Sequence, residues 1–159
     1  MAKVLMICGK ICCGKSTYAK KLKALTQSVI LSVDEIFLSL FGQHCGDNHD
    51  IYTKAIRNYL FDKSLEIIDT DIHVILDWGF WTLEDRTYAR EFYKSKNIEC
   101  ELHYIDIDME TWKKRIEKRN TEITTQKTTA YYIDNNLLKK SNILFIPPTK
   151  EETDVWVKM

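Results

Sequence analysis

Residues 9–17 read Gly-Lys-Ile-Cys-Cys-Gly-Lys-Ser-Thr and follow directly on an apolar run, Val4 to Cys8. They fit the spacing G-x-x-x-x-G-K-[ST], and no other feature restricts the fold as tightly. A strand, a glycine-rich turn and a helix opening on Lys15 and Ser16 make a cradle of backbone N–H groups that suits phosphate oxygens. Gly9 and Gly14 permit backbone conformations that a Cβ would obstruct. In such a cradle Lys15 reaches the β- and γ-phosphates and the Ser16 hydroxyl reaches Mg²⁺. Gly9, Cys12, Cys13, Gly14, Lys15, Ser16 and Thr17 form the expected phosphate-contacting set. Cys12 and Cys13 occupy variable positions. They are either small residues tolerated in a loop or thiols whose pKa the helix N-terminus and Lys15 lower, opening the cradle to oxidation.

The rest of the chain decides what such a cradle is built into. The 159 residues suffice for one domain, and 45% hydrophobic content supplies its core. With 23 basic and 23 acidic residues, nothing in bulk charge favours duplex nucleic acid or a membrane surface. No apolar run approaches the roughly 20 residues of a membrane span. The N-terminal run enters Gly9 at once, so a strand is expected there and not a signal peptide. Five cysteines without framework spacing read as free thiols in a reducing cytoplasm.

Five apolar runs alternate with helix-like stretches. The runs are 4–8, 28–31, 73–77, 101–107 and 143–146, the last closed by Pro147-Pro148. Helices are expected near 15–26, 35–41, 51–70, 83–96 and 109–120, with Thr82-Leu83-Glu84-Asp85 as a capping box and Asn97 as a stop. On 51–70, Tyr52, Ile56, Tyr59, Leu60 and Ile67 read as a core-facing stripe. Residues 121–135 are either a loop or a weakly marked helix. Alternating strands and helices predict an α/β fold, a parallel sheet covered on both faces.

Two carboxylates stand at strand ends, where parallel sheets meet their ligands. Asp34 is either the group that orients and deprotonates an attacking hydroxyl or the N-cap of the helix after it. Asp77 is either a Mg²⁺-shell or substrate contact or a cap for the turn at Gly79. Arg115 and Arg119, four apart on one helix, present two guanidiniums on one face. They are placed to neutralise a transferring phosphoryl group or to pair with neighbouring acids. Trp78, Phe80 and Trp81 form either a stacking wall or a hydrophobic plug. His44, Cys45, Asp47, His49 and Asp50 cluster without a second ligand group, so a polar loop is expected there in preference to a metal site. A guanine-reading Asn-Lys-x-Asp segment is missing, which excludes a GTPase, and Asp77-Trp-Gly-Phe is not a GTPase switch.

These motifs together resemble a family. "GKICCGKST", "LSVDEI" at 31–36, "VILDWGFWTLEDR" at 74–86, "WKKRIEKRN" at 112–120 and "LFIPPTKEE" at 144–152 are similar, in order, to the small P-loop kinases grouped as an AAA-like ATP-binding family. Relatives include polynucleotide 5′-kinase domains, zeta toxins, chloramphenicol phosphotransferase, and gluconate- or shikimate-kinase-like enzymes. The resemblance implies a three-layer nucleotide-kinase-like fold with strand order 2-3-1-4-5, a single domain over 1–159 and a lid near 112–135. It implies ATP and Mg²⁺ as cofactors, Asp34 as base, Arg115 and Arg119 as lid arginines and Pro148 beside adenine. Asp34, Asp77, Trp78 and Arg86 become the acceptor side, with Arg86 alternatively a structural ion pair. The expected activity is phosphorylation of a hydroxyl on a small molecule. The alternatives are a nucleic-acid 5′-hydroxyl kinase and a nucleotide-binding module without transfer. Ile36, Phe37 and Leu38 stand where the polynucleotide kinases carry an arginine, and oligomeric state is open.

Overall fold

The computed structural model describes residues 1–43, 46–128 and 130–159. Five strands, β1 (Val4–Cys8), β2 (Ser28–Ser32), β3 (His73–Gly79), β4 (Cys100–Asp106) and β5 (Val155–Lys158), form one sheet in the order β2-β3-β1-β4-β5. Every pairing is parallel. The central strands are continuous apolar runs because both faces are covered. Alternate side chains of β1 go to opposite layers. Val4, Met6 and Cys8 pack with Val74, Leu76, Leu60, Phe61, Ala89 and Tyr93, while Leu5 and Ile7 pack with Ala19, Ile75, Ile105 and Trp112. Helices α3 (His49–Ile68) and α4 (Leu83–Lys94) thus cover one face. Helices α1 (Lys15–Leu25) and α5 (Met109–Thr124) cover the other, where α6 (Asn135–Leu144) also packs. The three-layer architecture and strand order agree with the expectation. Among the described residues no helix is long and apolar enough to cross a membrane.

Local signals set most of the boundaries. The Thr82 hydroxyl accepts from the Asp85 N–H at 3.0 Å and starts α4. Asn97 takes a left-handed φ of 57° just past its end. Helix α2 (Val33–Phe41) begins two residues earlier than expected, because Ser32 caps it by accepting from the Glu35 N–H at 3.3 Å. Asp34 is therefore not the N-cap. On α3 the expected stripe holds at Leu60, which is buried, and at Ile56 and Ile67, which pack against the core; Tyr59 is instead 60% exposed, and Phe61 and Ser64 are buried beside Leu60.

The fifth strand is the main correction. Residues 143–146 do not form it. Ile143 and Leu144 finish α6, which Asp134 caps by accepting from the Leu137 N–H. The chain then runs back beside α4 before β5 begins at Val155. A four-residue apolar run has no period by which strand and helix end can be told apart. The true edge strand, Val-Trp-Val-Lys, is equally short. Helix α5 also extends to Thr124, beyond the expected limit at 120.

Arg86 organises that returning segment. It is only 2% exposed, and its Nε pairs with Glu152 Oε1 at 3.0 Å. Its Nη1 donates to the carbonyls of Phe80 at 3.2 Å and Ile146 at 2.9 Å. The structural ion pair, one of its two sequence readings, is the arrangement found. Removing a buried guanidinium strands Glu152 and two carbonyls together. Arg86→Ala is expected to lower the free energy of unfolding by about 3–5 kcal/mol, read from the midpoint of urea unfolding. Arg90→Ala, whose partner Asp154 is 44% exposed, is expected to cost at most about 1 kcal/mol at that ion pair.

Candidate functional site

The loop from β1 to α1 leaves no room for side chains at its two glycines. A Cβ on Gly9 would lie 2.6 Å from Cys13 Sγ and 3.2 Å from the Ile105 carbonyl. Gly14 has φ +105°, and its Cβ would lie 2.7 Å from Arg115 Nη1. The loop is also gripped from outside by α5. Trp112 Nε1 donates to the Ile11 carbonyl at 2.6 Å, and Arg115 Nη1 donates to the Cys13 carbonyl at 2.7 Å. Lys10 Nζ lies 4.7 Å from the Trp112 ring centroid, a cation–π contact. Lys15 Nζ donates back to the carbonyls of Gly9 at 3.2 Å and Lys10 at 2.7 Å. The first half of α5 is thus fixed to the cradle. Arg115 spends its guanidinium on that contact, whereas Arg119, one turn on, forms no ion pair among the described residues.

Cys12 and Cys13 are buried. Burial pushes the Cys12 thiol above its ordinary pKa, and the opposing pull of Arg119, Lys15 and Arg115 does not reverse this. The lowered thiol pKa expected from the helix N-terminus and Lys15 is therefore not found at Cys12. This thiol sits against the Arg115 carbonyl, with Sγ at 3.4 Å.

Parallel register brings the two carboxylates together. Ser32 at the end of β2 pairs with Asp77 on β3, and Cys8 at the end of β1 pairs with Gly79. Asp34, two residues past Ser32, and Asp77 therefore stand beside the cradle. Both line a cavity of about 1200 Å³ together with Lys15, Ser16, Thr17, Trp78 and Arg119. Asp34 touches solvent in this cleft, yet protein encloses most of the space around it. Desolvation raises its carboxyl pKa above the ordinary range, with Asp77 adding to the rise; Lys15, Arg119 and Arg57 pull the other way. Those four charges act on one point. Neither the Asp34 nor the Asp77 carboxyl forms a hydrogen bond or ion pair among the described residues. The free Asp77 carboxylate and the solvent-facing Ser16 hydroxyl are hard oxygen donors, the ligand type that Mg²⁺ takes.

The far wall of the cavity was not foreseen. Helix α3 supplies Thr53, Lys54, Arg57 and Asn58, and α4 supplies Glu84, Asp85 and Tyr88. The four-residue spacing of Thr53 and Arg57 beside the apolar stripe was the available signal. Trp78 is 7% exposed and meets Phe61 edge to face at 5.5 Å, so it serves as both plug and wall. Arg86 and Pro148 do not line this cavity. Pro148 is buried in the connection from α6 to β5, because its segment precedes the last strand and does not follow it. His44 and Cys45 lie outside the described residues; His49 packs on Phe37 at 4.5 Å and meets Asp50 at 3.3 Å.

Residues 130–134, just ahead of α6, lie along the same cavity through Tyr131, Tyr132 and Asp134. Two side-chain amides hold its backbone. Asn120 donates to the Ile133 carbonyl at 2.8 Å and accepts from its N–H at 2.9 Å. Gln43, just past α2, donates to the Ala130 carbonyl at 2.8 Å and accepts from the Tyr132 N–H at 3.2 Å. Neither amide was marked by the sequence.

The family described as AAA domain matches residues 4–132. The chain belongs to that family. No curated protein matches it. Among solved structures, it is similar to an unliganded sugar kinase from Janibacter sp. HTCC2649, with a TM-score of 0.66 and 14% identity over 99% of this chain and 86% of that one. It is similar to the Mycobacterium tuberculosis APS kinase CysC in complex with AMPPNP and APS, with a TM-score of 0.64 and 16% identity over 99% and 88%. It also matches a chain of the Pnkp1/Rnl/Hen1 RNA repair complex, with a TM-score of 0.71 and 20% identity over 96% of this AAA domain chain but only 50% of that one. At these identities the likeness establishes the P-loop kinase fold.

The Gln43 clasp generates a prediction about mobility. Gln43→Ala is expected to speed hydrogen exchange of the Tyr132 amide by roughly fivefold to tenfold, the equivalent of one hydrogen bond of about 1 kcal/mol. Exchange in β1 and β3 is expected to be unchanged.

Proposed function

We propose that this protein is a kinase that transfers the γ-phosphoryl group of Mg²⁺-ATP to a hydroxyl of a small-molecule acceptor. The observation that carries this reading is Asp34. Its carboxylate is free of the helix cap, raised in pKa and gathered with Lys15, Arg119 and Asp77 along one solvent-open cavity beside the cradle. A module that only holds a nucleotide has no need of a proton acceptor there. The APS kinase neighbour, which is in complex with AMPPNP and APS, adds support for a nucleotide and a second substrate on this fold.

Each residue has a physical task. Backbone N–H groups of residues 9–15 and the Lys15 ammonium hold the phosphates. Ser16 and Asp77 hold Mg²⁺, which neutralises phosphate charge when bound. Asp34 orients the acceptor hydroxyl and takes its proton as the oxygen attacks. A carboxyl with a raised pKa is a stronger base than an ordinary one. Arg119 stabilises charge that builds between donor and acceptor. Arg115 is a positioning residue, since it fixes the Cys13 carbonyl and with it the shape of the cradle. Of the segment expected to act as a lid, α5 is fixed to the cradle through Trp112 and Arg115, and residues 130–134, held by the Asn120 and Gln43 amides, serve as the cover of the cavity.

The first expected outcome concerns phosphate charge. Lys15→Ala should lower transfer at least roughly a hundredfold with the fold intact, on the scale of one lost electrostatic stabiliser. Arg119→Ala should reduce kcat more than ATP affinity, and Arg115→Ala should weaken ATP binding. Normal turnover in Lys15→Ala would remove the cradle from the reaction.

Asp34→Asn provides a test with two readouts. Transfer should fall roughly a hundredfold to ten-thousandfold while Mg²⁺-ATP still binds. The wild-type rate should fall on acidification through a carboxyl pKa above the ordinary range. Stability supplies the second readout. A raised carboxyl pKa means that Asp34 stabilises the fold while protonated and loses that contribution as pH rises through its folded pKa. Without nucleotide, Asp34→Asn should therefore melt higher than wild type near neutral pH. The difference should close below the ordinary carboxylate range. A mutant that melts lower at neutral pH would show that the Asp34 carboxylate is not desolvated in the fold. ATP binding without transfer to any acceptor would leave a nucleotide-binding module.

A further inference from the structure

The charges on the far wall of the cavity sort by pairing. Arg57 Nη1 meets Asp85 Oδ1 at 3.3 Å, and Lys140 Nζ meets Asp50 Oδ1 at 2.8 Å. What remains without an ion pair among the described residues is one cation, Lys54, against two acids, Asp47 and Glu84. Asp34 and Asp77 add two further carboxylates at the near edge. Lys15 and Arg119, at the cradle end, are assigned to the transferred phosphate. An acceptor carrying its own phosphate or sulfate would therefore leave water for a wall with an excess of carboxylates. A desolvated charge without a partner is strongly unfavourable.

The same wall suits hydroxyls. The Arg57–Asp85 pair is about one-third exposed on each side, so it presents a donor and an acceptor together, the combination that a hydroxyl group uses. Thr53 Oγ1 and Arg57 Nε, one helical turn apart on α3, are buried without a hydrogen-bond partner. Buried polar atoms are nearly always paired, so two orphans on one cavity wall point to oxygen-rich company when the cavity closes on a ligand. Aromatic faces lie beside them. Trp78 and Tyr88 both meet Phe61 edge to face, at 5.5 Å and 5.3 Å, and both line the cavity. Tyr88 keeps 52% of its surface exposed. A ring with an apolar face and hydroxyl edges fits such a corner.

We infer that the acceptor is a polyhydroxyl ring without anionic groups, sugar- or cyclitol-like and tolerant of amine substituents, and that Thr53, Arg57 and Asp85 select it. This rests on the kinase reading above and names the acceptor class of the same cavity. Arg57 reads hydroxyls because Asp85 neutralises it. Asp85 is the element that keeps the guanidinium from serving as an anion site.

The test uses the full chain with Mg²⁺-AMPPNP bound. Quenching of tryptophan fluorescence reports binding of glucose, inositol, adenosine and kanamycin. Glucose 6-phosphate, adenosine 5′-monophosphate and a 5′-hydroxyl oligonucleotide form the anionic arm. Transfer from radiolabelled ATP is measured on the same panel. The non-anionic arm is expected to contain the ligand, and the phosphorylated form of a bound ring is expected to bind at least about tenfold more weakly. Asp85→Asn frees the Arg57 charge and should narrow that ratio by about tenfold, a change of preference that loss of folding would not produce. Thr53→Val should raise acceptor KM more than it lowers kcat. Tighter binding of an anionic member, an unchanged ratio in Asp85→Asn, or no binding by any non-anionic member overturns the inference. Binding without transfer overturns the kinase reading and leaves the charge preference standing.

Discussion

Trp112 Nε1 meets the Ile11 carbonyl at 2.6 Å, and much of the site depends on that contact. The loop it holds has glycines where any Cβ would collide, so it cannot be stabilised by its own side chains. Its shape must come from a neighbour. Helix α5 supplies Trp112 and Arg115 to two loop carbonyls, and the Cys12 thiol meets a carbonyl of α5 in return. The Trp112 bond sits on a layer where Ile7, Ala19, Ile105 and Trp112 are all buried, so water does not compete for it; the two Arg115 contacts are partly buried. A cradle fixed in this way loses little conformational freedom when it takes up phosphate, which is the physical meaning of preorganisation.

Sheet register distributes the remaining chemistry. Parallel strands all end on the same side, so β1, β2 and β3 deliver Gly9, Asp34 and Asp77 to one edge although up to 68 residues separate them. Opposite charges gathered at that edge hold one another in check. Lys15, Arg119 and Arg57 oppose the desolvation of Asp34 without cancelling it, so its carboxyl stays above the ordinary range. On the other side of the sheet edge, Arg86 performs a different task with the same chemistry. Its buried fork gathers Glu152, Phe80 and Ile146 and pins the long return to β5 against α4. One arginine type thus serves as structural tie at 86, cradle clamp at 115 and unpaired cation at 119. Only burial and neighbours separate these roles.

The sequence was legible where a pattern carries its own mechanism. G-x-x-x-x-G-K-[ST] after an apolar strand marked the cradle, and apolar runs alternating with amphipathic stretches marked the layered parallel sheet, four of the five runs being its strands. Thr82 and Asn97 marked a helix start and stop because capping is local chemistry. Legibility failed where local pattern was short or absent. Residues 143–146 and 155–158 are both brief apolar runs, and only packing decides which joins the edge of the sheet. Ser32 and Asp34 both qualify as caps for α2, and the hydroxyl holds the bond.

What the sequence alone determined is the cradle, the fold class and the strand-end carboxylates, since spacing of glycine, lysine and acid is set by backbone geometry that any chain must obey. What only the tertiary structure decided is which charges are free. Arg57 is neutralised by Asp85, 28 residues away, and Lys140 by Asp50, 90 residues away. Arg115 is committed to Cys13, while Arg119 remains open to the cavity. Pairing of this kind depends on which helices the sheet brings face to face, and electrostatic energy falls with distance in space, not along the chain.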